Sequence, residues 1–247
     1  MKLNYSILAL MLVATVAAPV RKTKIFLVGD STMSIKEIKA YPETGWGMPF
    51  ANFFDSTIEV DNRAKNGRST KSFVAEGLWK LVLDDLHEGD YVFIQFGHND
   101  QAITKGERYS PPDTFKLNLI RYVTDVRMKK GIPILFTPVA RRRFDDKGQV
   151  LESHPVYSDA VIEVARKENV PLIDLNAKSK MLLQQFGKEN SALLYLHLEP
   201  NEHPNYPEGK IDDTHFNELG ARRMAELVLA EIRSLNLPIA AHIRNAK

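Results

Sequence analysis

Short, dense apolar runs alternate along this chain with longer stretches in which apolar residues recur every three or four positions. The first pattern predicts strands buried on both faces, the second amphipathic helices. The strand candidates are Lys24–Val28, Thr57–Asn62, Tyr91–Phe96, Ile132–Phe136 and Val170–Asp174. Pro133 cannot donate to a ladder from mid-strand, so it is expected at the start of the fourth run. Among the helix candidates, Lys71–Leu83 carries Val74, Leu78, Leu81 and Val82 as one stripe. Pro112–Lys130 opens on Pro112 and Asp113 and aligns Phe115, Leu119, Tyr122, Val123 and Val126. Pro155–Glu168, Ala177–Phe186 and Asn217–Ser234 follow. Strand–helix alternation of this kind predicts an α/β fold, a parallel sheet covered on both faces as a three-layer α/β/α sandwich. Leu196–Asp213, rich in Pro, Asn, Glu and Gly, is expected to be a long loop before the last helix.

The N-terminus breaks the alternation. Lys2 precedes an apolar run from Ile7 to Ala18, small residues follow, and charge returns at Arg21 and Lys22. That layout predicts a signal peptide over residues 1–20, cleaved near Ala18, with a secreted or periplasmic mature chain of residues 21–247. The run is short for a membrane span, and no second segment of spanning length follows.

Composition narrows the chemistry. With 33 basic and 31 acidic residues the net charge is +2, which gives no field to gather nucleic acid. There is no cysteine, so disulfides, thiolate nucleophiles and cysteine-bound metals are excluded. The 247 residues suit one domain with a sizeable core, expected to act as a monomer.

In open parallel sheets ligands bind beyond the carboxyl ends of the strands. Those ends carry Asp30-Ser31 after the first run, Asn66-Gly67-Arg68-Ser69 after the second, Gly97-His98-Asn99-Asp100 after the third and Arg141-Arg142-Arg143 after the fourth. Asp212-Asp213-Thr214-His215 stands before the last helix. A serine that attacks an ester needs a base, a group that orients the base, and fixed donors for the oxyanion. Ser31 is the candidate nucleophile and His215 the base. Asp212, three residues earlier, can reach the second imidazole nitrogen within one turn. The N–H groups of Ser31 and Gly67 and the side-chain amide of Asn99 are candidate oxyanion donors.

The set "GDS" at 29–31, Gly67 in "NGRST", "GHND" at 97–100 and "DDTH" at 212–215 resembles the blocks of the SGNH, or GDSL-type, hydrolases. "GDSTM", "GWG" at 45–47, "TPVARRRF" and "HFNELGA" are similar to the rhamnogalacturonan acetylesterase branch. The usual "DGxH" is "DDTH" here, with Asp213 in place of glycine. The resemblance implies a flavodoxin-like five-stranded sheet in the order 2-1-3-4-5 and removal of acetyl groups from pectin backbone. It implies catalytic Ser31, Asp212 and His215, oxyanion donors Ser31, Gly67 and Asn99, and no metal or cofactor.

For the sugar, Trp46 between two glycines is a candidate stacking platform. Arg68 and Arg141 are candidate partners for galacturonate carboxylates, and His98 is a candidate lining residue. The partner implied is an acetylated polysaccharide or oligosaccharide. Other readings are an esterase for acetylxylan or small lipids, a glycan-binding relative without activity, and a cation site built from His197, His203 and His215 with Glu199, Glu202 and Asp213.

Overall fold

The computed structural model describes residues 21–244, so the predicted signal segment lies outside the described residues. The apolar runs form strands β1 (Thr23–Gly29), β2 (Ile58–Asn62), β3 (Tyr91–Gln95), β4 (Ile132–Phe136) and β5 (Leu172–Ile173). They make one parallel sheet in the order β2-β1-β3-β4-β5, as the resemblance implies.

Alternate residues of β1, β3 and β4 enter two separate cores. Ile25, Leu27, Phe93, Ile134 and Phe136 face one layer; Phe26, Val28, Val92, Ile94 and Leu135 face the other. The first layer holds α1 (Gly47–Phe50), α6 (Leu175–Asn190) and α7 (Glu218–Ser234). The second holds α2 (Thr70–Ala75), α3 (Leu78–Asp85), α4 (Pro112–Met128) and α5 (Pro155–Lys167). Burial on both faces is why the central strands read as unbroken apolar runs.

Pro133 is the second residue of β4 and pairs with Val92. It is tolerated there because β5 meets β4 only at Leu135 and Phe136, so no neighbour needs the missing N–H. The helix expected over Lys71–Leu83 is two helices. Gly77, with φ +74, turns the chain between them while the apolar period runs on across the break.

The expected loop over Leu196–Asp213 is corrected. Tyr195–Leu198 (β6) and Lys210–Phe216 (β7) form an antiparallel ribbon, with residues 199–209 as its tip. β7 reads Lys-Ile-Asp-Asp-Thr-His-Phe, polar on both faces, so period-two alternation gives no signal there. The ribbon is tied to the rest of the molecule through Thr44, whose N–H donates to the Phe216 carbonyl at 2.8 Å. Among the described residues no helix is long and apolar enough to cross a membrane.

Candidate active site

The carboxyl end of β1 leads into a turn built by Asp30. Its carboxylate is fully buried, and Oδ1 accepts from the Thr32 N–H at 2.9 Å and the Thr32 hydroxyl at 2.8 Å. Burial pushes this carboxyl above the ordinary aspartate range. The turn leaves Ser31 half-buried at the rim, with Oγ 2.9 Å from Nε2 of His215. His215 lies on β7, and its Nδ1 stands 2.9 Å from Oδ2 of Asp212. The other oxygen, Oδ1, accepts from the backbone N–H groups of Thr214 and His215 at 2.8 and 3.0 Å. Burial raises the Asp212 carboxyl, but the His215 hydrogen bond and charge and these two N–H groups outweigh it and hold it well below the usual range. An ionised Asp212 only accepts, so Nδ1 carries the imidazole proton and Nε2 turns a lone pair to the Ser31 hydroxyl.

Asp213, the second carboxylate of the Asp-Asp-Thr-His run, is engaged elsewhere. Its Oδ1 meets His197 Nε2 at 2.8 Å and Arg142 Nη1 at 2.9 Å.

Gly67 follows β2 in a turn closed by the Arg68 N–H on the Lys65 carbonyl, and its φ of +75 is the left-handed region. Asn99 follows β3 and is buried; one amide proton donates to the Arg68 carbonyl at 2.9 Å, which leaves the second available. Among the described residues, neither the Ser31 nor the Gly67 N–H is spent on a hydrogen bond within the protein. These groups line a cavity of about 350 Å³ that also exposes His98, Lys105 and Arg141. A larger groove of about 610 Å³ around Tyr41, Leu193 and His203 contains none of them.

The sugar-binding candidates fare unequally. Trp46 is corrected: it is fully buried, donates from Nε1 to Gln95 Oε1 at 2.8 Å, and packs on Phe50 and Phe136, so no sugar can reach its face. Its flanking glycines serve packing, since a Cβ at Gly45 would stand 2.0 Å from the Ser34 carbonyl oxygen. Arg68 turns its guanidinium to Glu76 at 2.7 Å, away from the cavity, and contributes its carbonyl to Asn99 instead. Arg141 lines the cavity and donates to the Thr214 hydroxyl. His98 lines it too, its ring centroid 4.3 Å from that of His154. Burial, then the Arg141 charge, holds His98 far below the ordinary imidazole range, so it is a neutral donor and acceptor.

The histidines of the cation-site reading disperse. His197 goes to Asp213, His215 to Asp212, and His203 lies against Tyr41. Among the described residues no group of three or more His, Asp or Glu side chains is arranged to hold a metal ion.

Sequence reasoning named Asn66 beside Gly67 but gave its side chain no role, and it missed Lys36, Glu43, Lys105 and Arg108. Glu43, Asn66 and Lys105 line the cavity. Arg108 places Nη1 2.8 Å from where a Cβ on Gly67 would sit. Long charged side chains are ordinarily solvent-facing, so nothing in their local pattern marks them.

The residue pattern of the GDSL-like lipase/acylhydrolase family matches residues 27–223. The rhamnogalacturonan acetylesterase RhgT of Bacillus subtilis (strain 168) is 42% identical over 220 residues, which is 89% of this chain and 94% of that protein. The probable rhamnogalacturonan acetylesterase YesY of the same organism is 38% identical over 224 residues, 89% and 96% of the two chains. Among solved structures, protein YxiM of Bacillus subtilis superposes with a TM-score of 0.76 at 26% identity, over 89% of this chain and 58% of its own. The acetylxylan esterase Axe2 of Geobacillus stearothermophilus, in a catalytic mutant, superposes at 0.65 and 17% identity over 92% and 99%, a likeness of fold. The chain belongs to the GDSL-like lipase/acylhydrolase family, as an ester hydrolase of its rhamnogalacturonan acetylesterase branch.

Proposed function

We propose that this protein is a secreted carbohydrate esterase that removes acetyl groups from acetylated rhamnogalacturonan by a Ser31–His215–Asp212 mechanism. The observation that carries the reading is the unbroken line from Ser31 Oγ through the His215 ring to Asp212, 2.9 Å at each contact, opening into a polar cavity. The substrate is argued from the 42% identity to RhgT over nearly the whole of both chains.

Ser31 Oγ attacks the acetyl carbonyl while His215 Nε2 takes its proton. Asp212 holds the resulting imidazolium. The carbonyl oxygen gains charge facing the Ser31 and Gly67 N–H groups and the free amide proton of Asn99. His215 returns the proton to the sugar oxygen, which leaves as an alcohol. Water, deprotonated by the same nitrogen, then releases acetate and restores Ser31. Arg141 and Lys105 give the cavity a cationic side suited to a galacturonate carboxylate. Of its negative lining residues, Glu43 is paired with Lys36 at 2.7 Å and Asp212 is taken up by hydrogen bonds from the His215 ring and the backbone N–H groups of Thr214 and His215.

The test is acetate release from acetylated rhamnogalacturonan, acetylated xylan and 4-nitrophenyl esters of two to twelve carbons. The pectic substrate should be turned over fastest, and Ser31→Ala should lose at least about 10⁴-fold in kcat on every substrate. A preference for long-chain esters, or near wild-type turnover by Ser31→Ala, would overturn the reading.

A further inference from the structure

Lys36 lies five residues after Ser31, and its side chain is only 2% exposed. A buried ammonium is costly unless acceptors take its protons. Here three do: the Ser31 carbonyl oxygen at 2.5 Å, Asn66 Oδ1 at 2.8 Å and Glu43 Oε1 at 2.7 Å. Three acceptors saturate the three donors of an ammonium. Burial draws Lys36 below the ordinary lysine range while Glu43 pushes the other way.

The choice of acceptors matters. Ser31 bears one oxyanion donor on its own N–H, and Asn66 directly precedes Gly67, which bears another. These donors sit on separate loops, after β1 and after β2. Two N–H groups stabilise one oxyanion only when both aim at the same point, and a displacement of about 1 Å can cost on the order of 10²-fold. Ser34 reinforces the joint, donating to the same Asn66 Oδ1 at 2.6 Å. Glu43 neutralises the ammonium, so its contribution at a distance is geometric rather than electrostatic.

The geometry points to Lys36 as a positioning residue: its ammonium clamps the Ser31 carbonyl to the Asn66 side chain and thereby keeps the Ser31 and Gly67 N–H groups aimed at one oxyanion. This role rests on the acetylesterase reading given above. Lys36 touches no reacting atom, and no feature of the sequence singles it out.

The experiment is steady-state hydrolysis of 4-nitrophenyl acetate by wild type, Lys36→Met, Lys36→Met/Glu43→Gln, Asn66→Ala and the triple variant. The double variant removes the ammonium without leaving Glu43 unpaired. Its kcat should fall about 30-fold or more with KM within about threefold, because the oxyanion donors act in the transition state and not in ground-state binding. Asn66→Ala should fall at least about tenfold in kcat. The triple variant should be no more than about threefold below the double, because Lys36 acts through Asn66. Recovery of kcat to within threefold of wild type when Glu43→Gln is added to Lys36→Met would overturn the clamp, since the fault would then be the stranded carboxylate. Losses that multiply in the triple variant would overturn it as well. Should the Lys36 variants not fold, wild-type kcat in Asn66→Ala overturns the clamp by itself. Absence of turnover in wild type would instead reject the acetylesterase reading.

Discussion

Ser31 Oγ and His215 Nε2 stand 2.9 Å apart across 184 residues of chain. The contact joins the end of the first sheet strand to a ribbon outside the sheet, so the ribbon must be held in place. The Thr44 N–H on the Phe216 carbonyl does part of this, and the Tyr206 hydroxyl in the ribbon's tip, donating to the Ala40 carbonyl at 2.9 Å, adds to it. The orienting aspartate belongs to the same ribbon, which makes its identity testable.

Asp212→Asn should cost about 10³–10⁴-fold in kcat, because an amide no longer selects the imidazole tautomer that accepts the Ser31 proton. Asp213→Asn should cost less than about threefold, since Asp213 serves His197 and Arg142 instead. Kinetics of both variants on 4-nitrophenyl acetate decide the point. Equal losses would mean that both carboxylates act on His215.

The oxyanion donors make a second contrast. Asn99→Ala removes one donor and should lower kcat about 10²–10³-fold with little change in KM. Gly67→Ala puts a Cβ on a residue at φ +75, a conformation that costs an L-residue roughly 1–2 kcal/mol. It also brings that Cβ to 2.8 Å from Arg108 Nη1, the flexible end of a long side chain. Strain in the turn therefore outweighs the clash. The double variant Gly67→Ala/Arg108→Ala should stay as impaired in kcat as Gly67→Ala alone, and recovery would assign the defect to Arg108.

Trp46 offers a test free of chemistry. Trp46→Phe leaves Gln95 Oε1 buried and without its donor, which should lower the unfolding free energy by about 1–3 kcal/mol. KM for acetylated oligosaccharide should not move. A rise in KM of fivefold or more at unchanged stability would return Trp46 to the sugar site.

The fold was legible where burial imposes a pattern. β1, β3 and β4 are covered on both faces and so appear as dense apolar runs, and α4 and α7 show their inward stripes. The ribbon of β6 and β7 was not legible, because Asp212 and Thr214 on one face of β7 and Asp213 and His215 on the other erase the alternation. Gly77 was hidden for the opposite reason, since the apolar stripe continues past the break. Ser31, Gly67 and Asn99 could be picked out because each follows a strand of the sheet, and Asp212 and His215 because a carboxylate three residues before an imidazole can reach its second nitrogen. Trp46 misled because flanking glycines signal close backbone approach in a core as readily as access for a ring. Lys36 and Arg108 carry no local signal at all; only the three-dimensional meeting of loops gives a lysine three buried acceptors.

The last prediction concerns Asp100, which ties the loop after β3 to the start of α2. Its carboxylate is fully buried and accepts from the Thr70 hydroxyl at 2.6 Å and the Thr70 N–H at 3.0 Å. Burial pushes its pKa from 3.8 up to about 7, against the pull of those hydrogen bonds. Below about pH 4 the folded and unfolded chains both hold the proton. Between about pH 4 and 7 the unfolded chain has lost it and the folded chain keeps it, so stability falls as pH rises, by up to ~1.4 kcal/mol per pH unit. Above that window the two states match again and the loss is complete. Asp100→Asn removes the titration while keeping an oxygen for Thr70. Asp30, also raised by burial, titrates in both proteins, and its charge adds to the rise at Asp100 that Asp100→Asn removes. Urea unfolding at half-unit steps from pH 4 to 8 should therefore show the variant gaining on the wild type up to about pH 7 and running parallel to it beyond. A constant difference across the whole range would mean that Asp100 is ionised in the folded protein and that the Thr70 hydrogen bonds, not burial, set its charge.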